Sequence, residues 1–265
     1  MSDPQFVLIT GCTDGGIGAA FARSFYRRGF HVFGTARSIE KMSQLKSIER
    51  ITLLPLDVTS SSSIQAAVEQ ITPITGGKLH YLVNNSGVSY VMPALDTDVD
   101  EARKMFDVNL LGVLAITQAF FPLVRESRGC IMNMGSITGV LNAPWGSLYA
   151  ASKPALITMS ETLRLELAPF GMRVVTIVTG AVESNIMSSR NQFALPNDSM
   201  YRAITDIDAE KVVSDVTTNG TNGTIWRGSM ASTVRWLMMK MPAFIVDKVL
   251  LQGTGLGLLE ERAAL

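Results

Sequence analysis

The chain has 265 residues and a formal net charge of zero, with 47% hydrophobic and 17% charged residues. This length is sufficient for one large α/β domain with a single hydrophobic core. The balanced charge gives no long-range attraction for polyanions, so we expect a small or neutral ligand and no nucleic-acid partner.

Short apolar segments alternate with helical segments along the first 180 residues. Strands are predicted at residues 6–10, 31–35, 51–56, 79–85, 129–134 and 172–178, and helices at 16–28, 38–49, 60–71, about 98–125 and 147–168. The strands are apolar throughout, which indicates burial on both faces. The alternation predicts a doubly wound parallel sheet, a Rossmann fold, with ligands at the carboxyl ends of the strands.

No linker divides the chain, so we predict a single domain over residues 1–265. Residues 181–228 are polar and turn-rich, which predicts a substrate flap; a plain surface excursion is the alternative. Residues 229–265 mix Trp, Met and Phe with Arg and Lys. This helical tail is expected to pack on the core or the substrate cleft, with peripheral contact to a lipid surface as the alternative.

The first ligand signal is the loop between the first strand and the first helix. The strand leads to Gly11, and Gly16, Ile17 and Gly18 open the helix. Backbone N–H groups and the positive end of the helix then face one point, which predicts a cradle for the diphosphate of a dinucleotide.

The end of the second strand indicates which dinucleotide is bound. A carboxylate there would accept from a ribose 2′-hydroxyl, but Arg37 follows this strand and no acid occurs before Glu40. A guanidinium can bind a 2′-phosphate through two charge-assisted bonds, which favours NADP(H) over NAD(H). A solvated arginine at the start of a helix is the alternative.

Tyr149 and Lys153 are four positions apart, on one face of a predicted helix. Such a pair also arises by chance, so spacing alone does not identify a reaction centre. The two nicotinamide-cofactor signals at the same edge of the sheet favour chemistry over coincidence.

Six motifs together resemble those of the short-chain dehydrogenase/reductase family. They are TGCTDGGIG (10–18), LDVTS (56–60), NNSG (84–87), VNLLG (108–112), MGSITG (134–139) and YAASK (149–153). The likeness covers essentially the whole chain, and its later part resembles the fungal branch named for 1-acyldihydroxyacetone-phosphate reductase.

The resemblance implies four catalytic residues. Tyr149 would donate a proton to a substrate carbonyl, and Lys153 would lower the pKa of Tyr149 and hold the nicotinamide ribose. Ser136 would hydrogen-bond the reacting oxygen, and Asn109 would hold a water in a proton relay to Lys153.

The resemblance also implies further cofactor contacts. Asp57 would accept from the adenine amino group, although it could instead cap the helix that begins near residues 60–63. Asn85 and Gly87 would line the adenine ribose and support the centre of the sheet. Val182 and Ser184 would bond the carboxamide.

One departure from the family pattern concerns the glycine loop. It carries one extra residue, and Asp14 lies close to where phosphate would sit. An acid there would repel the cofactor unless its side chain points outward.

These observations predict an NADPH-dependent carbonyl reductase acting on a hydrophobic ketone that is lipid-like, steroid-like or an intermediate of fungal secondary metabolism. The alternatives are an NADP-linked alcohol dehydrogenase working in the oxidative direction and a non-catalytic dinucleotide-sensing protein. No metal is expected, because no His, Cys and Asp residues have ligand spacing, and His31 and His80 are predicted to be structural.

The expected setting is the cytoplasm. The first ten residues show no secretory signal, and the only cysteines, Cys12 and Cys130, lie far apart, which favours a reducing compartment. The resemblance adds the surface of a lipid droplet or the endoplasmic reticulum, and a homodimer or homotetramer formed through the helices at 98–125 and 147–168. The uncharged run 108–124 is short for a membrane span and is predicted to be a buried helix.

Overall fold

A computed structural model of the protein describes residues 4–139, 144–180 and 195–201. The strands in these ranges are β1 (Phe6–Ile9), β2 (His31–Ala36), β3 (Ile51–Pro55), β4 (Tyr81–Asn84), β5 (Cys130–Ser136) and β6 (Arg173–Thr179). They form one sheet in the order β3-β2-β1-β4-β5-β6, and every pairing is parallel. The predicted doubly wound sheet is confirmed.

The helices follow the predicted segments with two differences. They are α1 (Ile17–Arg27), α2 (Ser61–Thr75), α3 (Val99–Phe106), α4 (Gly112–Glu126) and α5 (Ser147–Leu167). The segment predicted as a helix at 38–49 is a short 3₁₀ helix, Ile39–Leu45, with a kink at Met42. The long helix predicted at 98–125 is interrupted by a π turn, Asp107–Leu111, between α3 and α4.

Side chains of the strands alternate between two cores, one on each face of the sheet. Leu8 of β1 belongs to the core that includes Ile116 and Phe120 of α4. Its neighbours Val7 and Ile9 belong to the core on the opposite face, with Ala19 and Ala22 of α1. Successive strand residues point to opposite faces, so continuous apolar runs are what a sheet covered on both sides requires.

The stretch Val99–Glu126 is, within the part of the chain that the structure describes, the one helical stretch long and apolar enough to cross a membrane, with a hydropathy of 1.6. Val113, Ile116, Phe120 and Val124 on it are buried. Ile116, Phe120 and Val124 pack in the core with sheet residues. Leu111 and Leu114 of the same stretch are exposed, so the helix predicted to be buried at 108–124 is buried on one face only.

The parallel strands bring four predicted site residues to one edge of the sheet. Gly11, Arg37 and Asn85 each follow the end of a strand, and Ser136 is the last residue of β5. Most of the predicted flap (181–228) and all of the predicted tail (229–265) lie outside the described residues, as do Val182 and Ser184.

Candidate active site

The glycine turn after β1 is closed by hydrogen bonds from Asn85. Its Nδ2 donates to the carbonyl oxygens of Thr10 and Gly11, both at 2.9 Å. Gly11 has a φ of +73°, a conformation that glycine adopts without strain. A Cβ on Gly18 would lie 2.3 Å from the Gly11 oxygen. The start of α1 therefore lies against this turn only because residue 18 is glycine.

Thr10 links the glycine turn to the end of β4, a role that was not predicted from the sequence. Its Oγ1 accepts from the backbone nitrogens of Asn85 and Ser86, both at 3.0 Å, and so joins the ends of β1 and β4. The available signal was a hydroxyl residue directly before the first glycine, at the end of an otherwise apolar run.

A cleft of about 320 Å³ opens beside this turn, a volume within the range of small-molecule sites. Seven predicted residues line it, namely Gly11, Gly16, Ile17, Arg37, Asp57, Asn85 and Gly87. Lining residues that the sequence reasoning missed are Thr13, Ala36, Leu56, Val58, Thr59, Ser86, Val88 and Val108. The predicted glycine, basic and acidic contacts thus share one cleft that runs across the carboxyl edge of the sheet.

Asp57 is held by Thr59, and it does not cap α2. Its Oδ1 accepts from the Thr59 nitrogen at 2.9 Å and the Thr59 hydroxyl at 2.7 Å. These bonds, and to a smaller extent the charge of Arg37, lower the pKa of Asp57 below its ordinary value. The cap of α2 is Ser60, whose Oγ accepts from the Ser63 nitrogen at 3.3 Å, so the helix-cap alternative for Asp57 is wrong.

Ser136 interacts with the Tyr149 hydroxyl, and this interaction acts to lower the pKa of Tyr149. Ser136 Oγ in turn accepts from the Thr138 nitrogen at 3.2 Å and the Thr138 hydroxyl at 2.9 Å. Two donors thus fix the Ser136 oxygen from one side, and its own hydrogen can be donated elsewhere. Thr138 is a second residue that the sequence reasoning missed.

The pKa of Tyr149 shifts opposite to the prediction. Burial raises the pKa of its hydroxyl, and the bond with Ser136 opposes this shift only in part. Lys153 Nζ lies 5.5 Å from the centre of the Tyr149 ring and donates to the carbonyl oxygen of Met134 at 2.9 Å. Burial also lowers the pKa of Lys153 to about 8, which weakens it as a cation.

Asn109 connects the loop after β4 to α5. Its Oδ1 accepts from the Val88 nitrogen and its Nδ2 donates to the Val88 oxygen, both at 2.9 Å. Nδ2 is also 3.3 Å from the hydroxyl of Ser152, the residue before Lys153. The side chain of Asn109 thus fixes the Val88 wall of the cleft, and its role in holding a water remains a prediction.

Gly87 lies between the cleft and two of the residues predicted to be catalytic. A Cβ built there would lie 3.4 Å from Asn109 Oδ1 and 3.9 Å from Lys153 Nζ. Two of the four predicted catalytic residues, Asn109 and Lys153, therefore lie beside the Gly87 part of the cleft.

The two histidines lie at the opposite edge of the sheet. His80 Nδ1 accepts from the Phe6 nitrogen at 3.1 Å, and His31 Nε2 is 2.8 Å from the Thr52 hydroxyl. Burial lowers the pKa of both imidazoles, which favours the neutral form, and His80 needs that form to accept from Phe6. In the described ranges, no three His, Cys, Asp or Glu side chains are grouped closely enough to hold a metal ion.

Several known proteins are similar to this chain in sequence. The short chain dehydrogenase family model matches residues 5–194. The chain is 44% identical to the short-chain dehydrogenase ptmH of Penicillium ochrochloron, over 94% of this chain and 98% of that protein. It is 40% identical to the NADPH-dependent 1-acyldihydroxyacetone phosphate reductase of Schizosaccharomyces pombe, over 76% of this chain and 69% of that protein.

A solved structure shares the fold over nearly the whole length. It is a short chain dehydrogenase from Burkholderia cenocepacia in complex with NADP, with a TM-score of 0.70 and 25% identity. The superposition covers 94% of this chain and 98% of that one.

Proposed function

This chain belongs to the short-chain dehydrogenase family, and we propose that it is an NADPH-dependent carbonyl reductase acting on a hydrophobic ketone. The observation that carries the proposal is the grouping of Ser136, Tyr149 and Lys153, with Lys153 close to Gly87 in a cleft that the glycine turn also lines. Oxidoreductases need a bound cofactor and a proton donor at one place.

The residues of the cleft fit NADPH. The turn at Gly11, Gly16 and Ile17 would hold the diphosphate, and Arg37 would bind the 2′-phosphate. The Burkholderia relative contains NADP and the Schizosaccharomyces relative is named as NADPH-dependent, which supports this choice. When bound, NADPH supplies the hydride.

Tyr149 and Ser136 perform the proton chemistry of the proposal. Tyr149 donates its proton to the substrate oxygen, and its raised pKa keeps the hydroxyl protonated at neutral pH, as reduction requires. Ser136 donates a hydrogen bond to the same oxygen as negative charge develops on it. The proposed relay through Lys153 and Asn109 then returns a proton to Tyr149, and the Lys153 pKa of about 8 suits proton exchange near neutral pH.

An aromatic pair that includes Trp145, four residues before Tyr149 in the sequence, supports a hydrophobic substrate. Trp145 lies one helical turn before Tyr149 in sequence, and its ring packs edge-on against Tyr201 with centroids 5.1 Å apart. The carbonyl oxygen of Trp145 accepts from the nitrogen of Met92, a buried residue, at 2.7 Å. Acyldihydroxyacetone phosphate, the substrate in the name of the Schizosaccharomyces relative, is one lipid-like ketone of this kind.

Exposed apolar residues support assembly into a homodimer or homotetramer. Leu111 is 53% exposed beside α4, and Leu165 on α5 is 63% exposed. These lie on the two helices proposed to pair between subunits, and pairing would remove both from water.

The free, buried thiols Cys12 and Cys130 are consistent with the proposed reducing cytoplasm.

The test is NADPH consumption with a panel of ketones that differ in size and polarity. The proposal predicts turnover of hydrophobic ketones, with NADPH consumed mole for mole with alcohol formed. A protein that binds NADPH tightly and consumes none with any ketone would be a dinucleotide-binding protein and not a reductase.

A further inference from the structure

The extra residue of the glycine loop places Asp14 against the segment that follows Arg37. Its Oδ2 accepts from the Ser43 hydroxyl at 2.7 Å, and its Oδ1 accepts from the Gln44 nitrogen at 3.1 Å. Its own backbone nitrogen donates to the Lys41 oxygen at 2.7 Å. Three bonds thus join the loop to residues 41–44.

Asp14 joins two segments that each lie beside residues of the cleft lining. Thr13 and Gly16 of the loop line the cleft, and so does Arg37, at the end of β2. The segment Ile39–Leu45 begins two residues after Arg37 and is anchored in the core by Met42 and Leu45, both fully buried. Asp14 therefore connects the turn proposed for the diphosphate to a buried anchor beside the arginine proposed for the 2′-phosphate.

The carboxylate of Asp14 is also kept out of the cleft. Asp14 is absent from the cleft lining, although Thr13 before it and Gly16 two residues after it contribute to the lining. Its bonds to Ser43 and Gln44 place the negative charge on the far side of the loop, where it does not face a phosphate. The Asp14 side chain thus points outward, as the binding of a cofactor with three phosphate groups requires.

We propose that Asp14 is a positioning residue that sets the preference for NADPH by fixing the glycine loop to the segment after Arg37. This inference rests on the proposed NADP(H) site. NADH has no 2′-phosphate, so it gains less from a fixed distance between the loop and Arg37. Loss of the Asp14 bonds is therefore expected to weaken NADPH binding more than NADH binding.

The test is the dissociation constant of each reduced cofactor, measured by nucleotide fluorescence without substrate. Asp14→Ala is expected to raise the dissociation constant of NADPH about tenfold, which corresponds to about 1.4 kcal/mol. The dissociation constant of NADH should rise less than threefold. Asp14→Asn, which can still bond Ser43 and Gln44 without the charge, should restore most of the affinity. Ser43→Ala should weaken NADPH in the parent and have no effect in the Asp14→Ala background.

Asp100→Ala is the matched control, because Asp100 is an exposed acid bonded to Arg103 on α3. It should leave both dissociation constants unchanged. Tighter NADPH binding by Asp14→Ala would show that Asp14 acts by repulsion, and equal loss for both cofactors would show a general structural role; either result overturns the proposal. Failure of the parent protein to bind NADPH would instead overturn the proposed function.

Discussion

Lys153 Nζ donates a hydrogen bond to the carbonyl oxygen of Met134 at 2.9 Å, in a position where the lysine is only 5% exposed. Burial penalises the charged ammonium and lowers the pKa of Lys153 to about 8. The buried lysine therefore lowers the stability of the folded protein, and the size of this effect depends on pH.

We expect Lys153→Met to stabilise the protein at pH 7 and to lose this advantage at higher pH. Between pH 8 and the unfolded pKa near 10.5, the unfolded chain binds more protons than the native protein, so the stability of the parent rises with pH. The stability of the methionine variant lacks this dependence on pH. The difference in unfolding free energy should shrink by about 2 kcal/mol between pH 7 and pH 9.5. Urea denaturation at both pH values measures this difference in unfolding free energy. A difference that does not change with pH would contradict the lowered pKa of Lys153.

Gly18→Ala is expected to abolish cofactor binding, because its Cβ would collide with the Gly11 oxygen and force the turn apart. A hundredfold excess of NADPH over its dissociation constant should stabilise the parent by about 2.7 kcal/mol, and the variant not at all. Thermal unfolding with and without NADPH measures this. Ala20→Ser, at an exposed position on α1, is the control and should respond as the parent does. An equal response of Gly18→Ala would show that the turn does not bind the cofactor.

Arg37→Ala is expected to reduce NADPH affinity about 10- to 100-fold and to leave NADH affinity nearly unchanged. The loss corresponds to a charge-assisted hydrogen bond to the 2′-phosphate. Fluorescence titration of both cofactors measures the preference. Arg28→Ala, which removes an exposed arginine bonded to Ser24, should change neither affinity. An unchanged preference in Arg37→Ala would remove Arg37 from its proposed role.

Thr138→Val should lower kcat through Ser136. The variant removes the hydroxyl donor that fixes the Ser136 oxygen and retains a side chain of similar shape. We expect a loss of about 3- to 10-fold, against about 100-fold for Ser136→Ala, with the KM for NADPH unchanged in both. Thr162→Val, on the exposed side of α5, is the control. Full activity in Thr138→Val would show that Ser136 is oriented without Thr138.

The sheet could be predicted from the sequence because apolar runs and their spacing encode it directly. All six strands occur within two residues of their predicted bounds, and parallel pairing brought Gly11, Arg37 and Ser136 to one edge. The segment at 38–49 was predicted as an α-helix but forms only Ile39–Leu45, where Asp14 accepts from Ser43 and Gln44. That contact joins residues distant in sequence, which no local pattern reports.

The finer geometry of the site was not predictable for the same reason. Thr10 and Thr138 act through hydrogen bonds to Asn85 and Ser136, and a single threonine has no periodic signal. Asn109 lies in a π turn and bonds Val88, which is 21 residues away in the chain, and no local pattern reports such a contact. The raised pKa of Tyr149 depends on the depth of burial, which spacing does not contain.

The most direct test of the proposed chemistry is the rate of NADPH-dependent ketone reduction by Tyr149→Phe. The variant keeps the ring and removes the hydroxyl that interacts with Ser136. We expect kcat to fall about 10²- to 10⁴-fold with NADPH affinity unchanged. Tyr81→Phe, which loses a hydroxyl bonded to Arg173 at the other edge of the sheet, should retain the parent rate. Reduction by Tyr149→Phe within twofold of the parent would contradict Tyr149 as the proton donor.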